Sequence, residues 1–338
     1  MGPEDLGKIL EKIAPFDDPR LVAGFSNRGD SGVFLISNNL AIVQSVDVFT
    51  PIVDDAYMFG RIAAVNAMSD IYAVGAKPVC ALNILMFPCA LVDEAAATMQ
   101  GGADAVREAG SVILGGHSVD DPIPKYGLAV TGVMRKKELV SHQGARPGDT
   151  LILTKKIGTG LITSAHRSGG SAMAGVRGWK KKLSASHREV VESMARPNMA
   201  ASQSMVKTKV NACTDITGFG LLGHARNMAE QSGACLVISA SAVPRFDGAL
   251  ELAAAGPPGG GMTRNMKWIK PNFKKDNYTP PGSAEMLCDP QTSGGLLISV
   301  SAKKAEALVD RLREVGDIAS AIIGHVESPG GPCVRLVP

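Results

Sequence analysis

Residues 31–75, SGVFLISNNLAIVQSVDVFTPIVDDAYMFGRIAAVNAMSDIYAVG, change periodicity halfway along. Stretches 31–36 and 40–49 are apolar and rich in β-branched residues, and Asn38 and Asn39 between them make a polar turn, so the segment predicts a β-hairpin. From Asp55 to Val74 the apolar residues Met58, Ile62, Val65 and Ile71 recur one or two helical turns apart, and Gly75 offers a C-terminal stop, which predicts a helix. Downstream, the pattern predicts a strand near 79–85, a helix near 93–109, a short strand at 111–114 and another at 127–134. Hairpins and helices in one unit point to a mixed α/β (α+β) fold rather than a purely doubly wound sheet.

The turn-rich joint Ala145-Arg146-Pro147-Gly148-Asp149 precedes a new apolar strand, Leu151-Ile152-Leu153-Thr154, and places a boundary between two domains, 1–147 and 148–338. The second half alternates candidate helices (158–166, 186–195, 217–231, 302–314) with strands (234–239, 296–300, 318–325). Residues 256–283 hold most of that half's Pro and Gly and are expected to form a surface loop or flap.

With 45% hydrophobic and 20% charged residues, the chain is neither a disordered tail nor a coiled coil. Its 35 basic and 32 acidic residues leave a net charge of +3, too small for a general field toward nucleic acid or an anionic membrane. Any anionic ligand must be held locally. The six cysteines (80, 89, 213, 235, 288 and 333) include no CxxC pair, so neither a zinc ribbon nor a disulfide framework is signalled. No apolar window approaches 18 residues and the opening MGPEDLGKIL is too charged for a signal peptide, so a cytoplasmic protein is expected. The 38 glycines lie mostly in short loops, which suits ligand binding through backbone amides.

Four aspartates stand in unusual settings: Asp30 in a Gly-flanked turn, Asp47 near the end of an apolar strand, Asp70 inside an apolar helix, and Asp215 between Thr214 and Ile216. An Asp in a turn or before a helix is ordinarily a backbone cap, but a carboxylate in a buried stripe is costly unless a cation or donors meet it. Asn66 lies one turn before Asp70 and shares its face. Clustered carboxylates require a cation, and hard oxygen ligands select Mg²⁺, which commonly bridges a protein to substrate phosphates. The pattern therefore points to a nucleotide.

Four glycine motifs could meet phosphate with bare amides: Gly115-Gly116-His117-Ser118, Gly158-Thr159-Gly160, Gly218-Phe219-Gly220 and Ser293-Gly294-Gly295. None is a Walker loop or a dinucleotide fingerprint. Lys155 and Lys156 are candidate phosphate neighbours, whereas the run Arg177, Lys180, Lys181, Lys182 and Arg188 suits a solvated loop and helix start. His117 and His224 stand beside glycine motifs, where a histidine is commonly a hydrogen-bonded structural group.

The stretches Asp47-Val48-Phe49-Thr50-Pro51-Ile52-Val53-Asp54, Gly60-Arg61-Ile62-Ala63-Ala64 through Asn66 to Ser69-Asp70, Gly115-Gly116-His117-Ser118, Thr214-Asp215-Ile216-Thr217-Gly218-Phe219-Gly220-Leu221-Leu222-Gly223-His224 and Asp289-Pro290-Gln291-Thr292-Ser293-Gly294-Gly295-Leu296-Leu297 closely resemble the selenophosphate synthetase family. That family sits within a superfamily that includes aminoimidazole ribonucleotide synthetase, thiamine-monophosphate kinase and a hydrogenase-maturation ATPase. The resemblance implies a two-domain homodimer whose N-terminal sheets pair into a shared β-barrel, with ATP at the junction. It implies a phosphotransferase, a selenide, water dikinase, that turns ATP, selenide and water into selenophosphate, AMP and phosphate with Mg²⁺ and K⁺. By matched position, Asp30, Asp70 and Asp215 would hold magnesium, and Asp47 would contact nucleotide or metal. Asn27, Arg28, Gly29, Asn66, Gly116, His117 and Ser118 would line the nucleotide site.

Where many relatives carry a second acidic residue before the metal Asp, this chain has Gly29. The family's reactive Cys or selenocysteine and catalytic Lys fall before Met1, so no residue here takes a catalytic role by resemblance; a truncated or mis-assigned start is expected. The alternative is a catalytically silent ATP-binding regulatory homologue. Neither a membrane nor direct nucleic-acid contact is expected.

Overall fold

The computed structural model describes residues 3–24, 31–170, 178–256 and 259–338. After helix α1 (Pro3–Leu10), the first sheet is built from β1 (Leu21–Ala23), β2 (Gly32–Leu35), β3 (Leu40–Phe49), β4 (Lys77–Phe87), β5 (Val112–Asp120) and β6 (Lys125–Arg135), in the order β1-β2-β3-β6-β4-β5. All its neighbours are antiparallel except β4 and β5.

Two helices, α2 (Ala56–Ala73) and α3 (Val92–Glu108), pack together, α2 lying against β3 and β6. Asp55 caps α2 by accepting the Met58 N–H at 2.6 Å, and Gly75 ends the turn beyond it with φ +81°. Gly60 and Gly101 let α2 and α3 touch backbone to backbone: a Cβ on Gly60 would lie 1.7 Å from the Thr98 carbonyl oxygen, and one on Gly101 1.9 Å from that of Tyr57. Burial of Ile62, Ala63, Ala64, Val65, Ala67, Met68 and Ile71 leaves α2 apolar nearly all round, so its polar residues Asn66, Ser69 and Asp70 need partners inside the protein.

The second sheet has the order β10-β13-β9-β12-β7-β11-β8, from β7 (Asp149–Leu153), β8 (Ala212–Asp215), β9 (Cys235–Ser239), β10 (Phe273–Lys275), β11 (Leu296–Ser301), β12 (Ala321–Glu327) and β13 (Val334–Val337). Helices α4 (Thr159–Arg167), α5 (Trp179–Met194), α6 (Met199–Thr208), α7 (Gly220–Ser232) and α11 (Ala302–Glu314) accompany it. Between α7 and α11 come α8 (Ala249–Ala254), α9 (Gly260–Ile269) and α10 (Ser283–Leu287).

Three expectations need correction. The short strand at 111–114 runs on to Asp120 as the edge strand β5, because Gly115 and Gly116, at φ +153° and +159°, carry the chain past a register shift at Leu114 and pair with Leu82 and Asn83. Residues 256–283 are not a structureless flap: α9 and β10 occupy the segment, and α9 is fixed by the buried Met262 and Ile269 with half-buried Met266 between them, a helical spacing that the surrounding Pro and Gly obscured. Helix α5 begins at Trp179 rather than 186, because Trp179 is buried and Lys182 is drawn into ion pairs with Asp247 and Glu251. Arg177 lies outside the described residues.

Candidate active site

Asp215 ends β8, where its register partner is Leu296 on β11, and it is 1% exposed. Both of its carboxylate oxygens are buried with no hydrogen-bond partner. Burial pushes its pKa up, while the nearby Ser69 hydroxyl, the Asp70 carboxyl and the Lys155 ammonium act the other way. A buried carboxylate with both oxygens unsatisfied is an expensive arrangement that a cation would relieve.

Helix α2 brings the remaining acidic groups to Asp215. Asp70 accepts a short hydrogen bond from the Ser45 hydroxyl on β3. Two residues further along β3, Asp47 accepts the Asn66 side-chain N–H at 2.7 Å. Burial and the negative charge of Asp215 push the Asp47 pKa up to about 7, against the Asn66 hydrogen bond. Asp47, Asp70 and Asp215, scattered in sequence and carried by two sheets and a helix, thus share one electrostatic site.

The second half closes onto this site through the turn at Ser293. The Asn66 side-chain oxygen accepts the Ser293 N–H at 2.8 Å, and Ser293 holds φ +47°. Gly294 packs so closely that a Cβ there would lie 2.1 Å from the Ile216 carbonyl oxygen. Asn198, at the start of α6, donates to both Ser69 Oγ (2.9 Å) and the Gly294 carbonyl (2.8 Å).

Several candidates from the sequence stand elsewhere. The amides of Gly158 and Thr159 donate to Gln291 Oε1 at 2.9 and 3.0 Å, and that of Leu161 donates to Asp289 Oδ2 at 3.0 Å, so the DPQ segment caps α4 and takes up amides that a phosphate would need. Lys155 is 1% exposed and its ammonium donates to the Arg196 and Ser293 carbonyls at 2.6 and 3.0 Å. Burial and the Arg196 charge bring its pKa down to about 7. Lys156 pairs with Glu189 at 2.5 Å. Neither lysine is an open phosphate neighbour. His224 is buried and accepts the Thr217 N–H on Nε2 at 3.1 Å, and burial depresses its pKa to about 4, as befits a neutral structural imidazole. By contrast Gly218 is exposed in the turn between Asp215 and α7, although the Ile216, Thr217 and Gly220 amides around it donate to Gly295, His224 and Thr217.

Gly116, His117 and Ser118 are exposed on β5. Gly116 is level with Asp47 through the row Asp47–Leu128–Asn83–Gly116, three strands away. At the usual strand spacing that is roughly 14 Å, so one chain does not bring these residues to the carboxylates. Asn27, Arg28, Gly29 and Asp30 lie outside the described residues. Sequence reasoning missed Ser45, Ser69 as a separate group, and Asn198, whose roles come from tertiary partners distant in the chain.

Comparison with known proteins accords with the two-domain fold. The family described as AIR synthase related protein, N-terminal domain, matches residues 28–134, and its C-terminal counterpart matches 146–336. A thiamine-monophosphate kinase from Stenotrophomonas maltophilia K279a superposes with TM-score 0.67 at 16% identity, covering 98% of this chain and 94% of that one. AaThiL complexed with AMPPCP and TMP superposes with TM-score 0.67 at 18% identity, covering 99% and 93%. The chain is therefore a two-domain protein of the AIR synthase-related class. Selenide, water dikinase 2 of Peptoclostridium acidaminophilum is 43% identical over 329 residues, 97% of this chain and 91% of that protein. The selenide, water dikinase of Caldanaerobacter subterraneus subsp. tengcongensis is 42% identical over 331 residues, 97% and 92%. Within its class, the chain belongs to the selenide, water dikinase family.

Proposed function

We propose that this chain catalyses ATP-dependent synthesis of selenophosphate from selenide and water, releasing AMP and phosphate, at the junction between α2 and the Ser293 turn. The observation that carries the reading at the site is Asp215: a deeply buried carboxylate without a hydrogen-bond partner, facing Ser69 and Asp70. Full-length identity to selenide, water dikinases supports the substrate pair. Nothing in those relatives favours a silent regulatory homologue.

Asp70 and Asp215 would hold magnesium, with Asp30 assigned to the same ion by its matched motif. Among the described residues no three His, Cys, Asp or Glu side chains form a closed metal-binding set. Magnesium does not demand one, because it keeps waters and shares phosphate oxygens. When bound, it neutralises charge on the transferring phosphoryl group. Asp47 and Asn66 would then support the acidic wall, and of the amides between Asp215 and α7 those of Gly218 and Phe219 would be left for a phosphate, since Ile216, Thr217 and Gly220 already donate to Gly295, His224 and Thr217. Asn27, Arg28 and Gly29 complete the nucleotide site by matched position, and potassium is the expected monovalent ion.

A homodimer accounts for Gly116, His117 and Ser118. Val46 (61% exposed) and Leu82 (46%) lie on the sheet face away from α2, and Leu114 (67%) on the edge strand beside it, an apolar surface suited to a second sheet. Pairing the two sheets into a shared barrel would let a partner's β5 supply the glycine strand to this chain's carboxylates. Among the described residues no helix is long and apolar enough to cross a membrane, and we assign the protein to the cytoplasm.

The test is ³¹P NMR of ATP turnover with and without selenide. Selenide-dependent formation of AMP and selenophosphate is expected. AMP formation that does not depend on selenide, or ADP as the only nucleotide product, would contradict this function.

A further inference from the structure

Asn198 occupies the N-cap position of α6 but does not cap it. An asparagine there ordinarily accepts an N–H of the first helical turn. Here its side chain is 1% exposed, and its amide nitrogen donates to Ser69 Oγ at 2.9 Å and to the Gly294 carbonyl at 2.8 Å. The carbonyl at Gly294 can only accept, which fixes the amide orientation and leaves one N–H for each partner. Ser69 Oγ is therefore an acceptor toward Asn198, and its own proton must point elsewhere.

The environment narrows that choice. Ser69 is fully buried, and among the described residues its hydroxyl has no carbonyl acceptor of the kind a helical serine commonly finds one turn back. Helix α2, which carries Ser69, packs against β8, which ends in Asp215, and the two buried Asp215 oxygens accept no hydrogen bond among the described residues, so that carboxylate is free to receive the serine proton. The turn that carries Asn198 is itself held in place. Lys155 donates to the Arg196 carbonyl at 2.6 Å, and the Arg196 guanidinium donates to the Gly316 carbonyl at 2.6 Å and lies 3.5 Å from Asp317.

We propose that Asn198 is a positioning residue for the acidic site: by donating to Ser69 Oγ it directs the serine proton onto Asp215 and fixes the carboxylate facing Asp70 for the divalent ion. The inference rests on the ion-site reading above and adds a residue from α6 that touches neither ion nor nucleotide. Asn198 acts through Ser69, and the Ser293 turn is held by the same amide group.

Mn²⁺ serves as the probe, its binding read by electron paramagnetic resonance with a non-hydrolysable ATP analogue at saturation, and folding is checked by thermal unfolding. Ser69→Ala and Asn198→Ala are each expected to weaken Mn²⁺ binding about tenfold, the loss of one hydrogen bond to a charged group. The double variant should bind no more weakly than Ser69→Ala alone, because both changes remove the same contact. Asn198→Asp, which cannot donate and competes for the serine proton, should weaken binding at least as much as Asn198→Ala. Mn²⁺ affinity within about twofold of wild type in Ser69→Ala, or losses that multiply in the double variant, would overturn the proposal; so would an Asn198→Ala protein that only melts earlier. Should Asn198→Ala fail to fold, Ser69→Ala, a change of one atom, decides. Asp215→Asn separates the two readings: wild-type Mn²⁺ affinity there would refute the ion site itself, and this inference with it.

Discussion

The side-chain oxygen of Asn66 accepts the backbone N–H of Ser293 at 2.8 Å, tying the middle of α2 to a turn 227 residues further along the chain. The same side chain donates to Asp47 at 2.7 Å. One amide thus ties an acidic residue of the first sheet to the turn beside Asp215 in the second, and it keeps Ser293 in a left-handed conformation that a non-glycine residue adopts at a cost.

Replacing Asn66 should damage the site from both sides. Asn66→Ala removes two buried hydrogen bonds and should cost about 2–3 kcal/mol in urea unfolding. Asn66→Asp keeps the acceptor for Ser293 but sets a second carboxylate against Asp47, so it should impair binding of the metal–nucleotide complex at least as severely. Wild-type stability in Asn66→Ala would show that the bridge contributes nothing.

Gln291 tests the capping role of the DPQ segment. Its Oε1 receives the amides of Gly158 and Thr159 and the Thr159 hydroxyl, while its side-chain N–H donates to Asp289. Gln291→Ala should destabilise the fold by about 2 kcal/mol, as expected for orphaned amides at a buried helix start. Amide exchange at Gly158 and Thr159 should accelerate selectively; unchanged protection there would refute the assignment.

His224 makes stability depend on pH in a stated direction. Burial depresses its pKa from 6.5 to about 4, so the folded protein keeps the ring neutral where the unfolded chain would protonate it. The contribution is whole above pH 6.5 and is lost as pH falls toward 4, by about 3 kcal/mol in all. Guanidinium unfolding between pH 7.5 and 4.5 should show this loss in wild type and a shallower dependence in His224→Gln, whose carbonyl can still accept the Thr217 N–H. Parallel pH profiles would contradict it.

The proposed pairing of sheets turns on exposed apolar side chains such as Leu114, 67% exposed on β5. A charge there would be trapped in a dry interface, so Leu114→Asp should shift the protein toward monomer in light scattering and lower nucleotide affinity, while its melting temperature changes little. A dimer of wild-type strength in that variant would exclude this face.

The hairpin and α2 were legible because their apolar periods differ and Asp55 and Gly75 mark the helix ends. Asp70 stood out for a physical reason, a charge inside an apolar helix, and the structure does place it beside Asp215. Gly115 and Gly116 misled, since glycine permits a turn but does not demand one, and strand pairing with β4 settled the matter. Gly158-Thr159-Gly160 misled differently: its amides face Gln291, a partner no local pattern could reveal. Asn198 was silent in the sequence, and Ser69 showed only as part of a motif, because a buried polar side chain takes its meaning from what the fold sets next to it.

A divalent ion holding a nucleotide at Asp70 and Asp215 is tested most directly by calorimetric titration of a non-hydrolysable ATP analogue with and without Mg²⁺. Wild-type protein should bind the analogue in a strongly Mg²⁺-dependent manner, and Asp215→Asn should lose most of that dependence while remaining folded. Equal affinity with and without Mg²⁺, or an Asp215→Asn variant that retains the full Mg²⁺ effect, would contradict it.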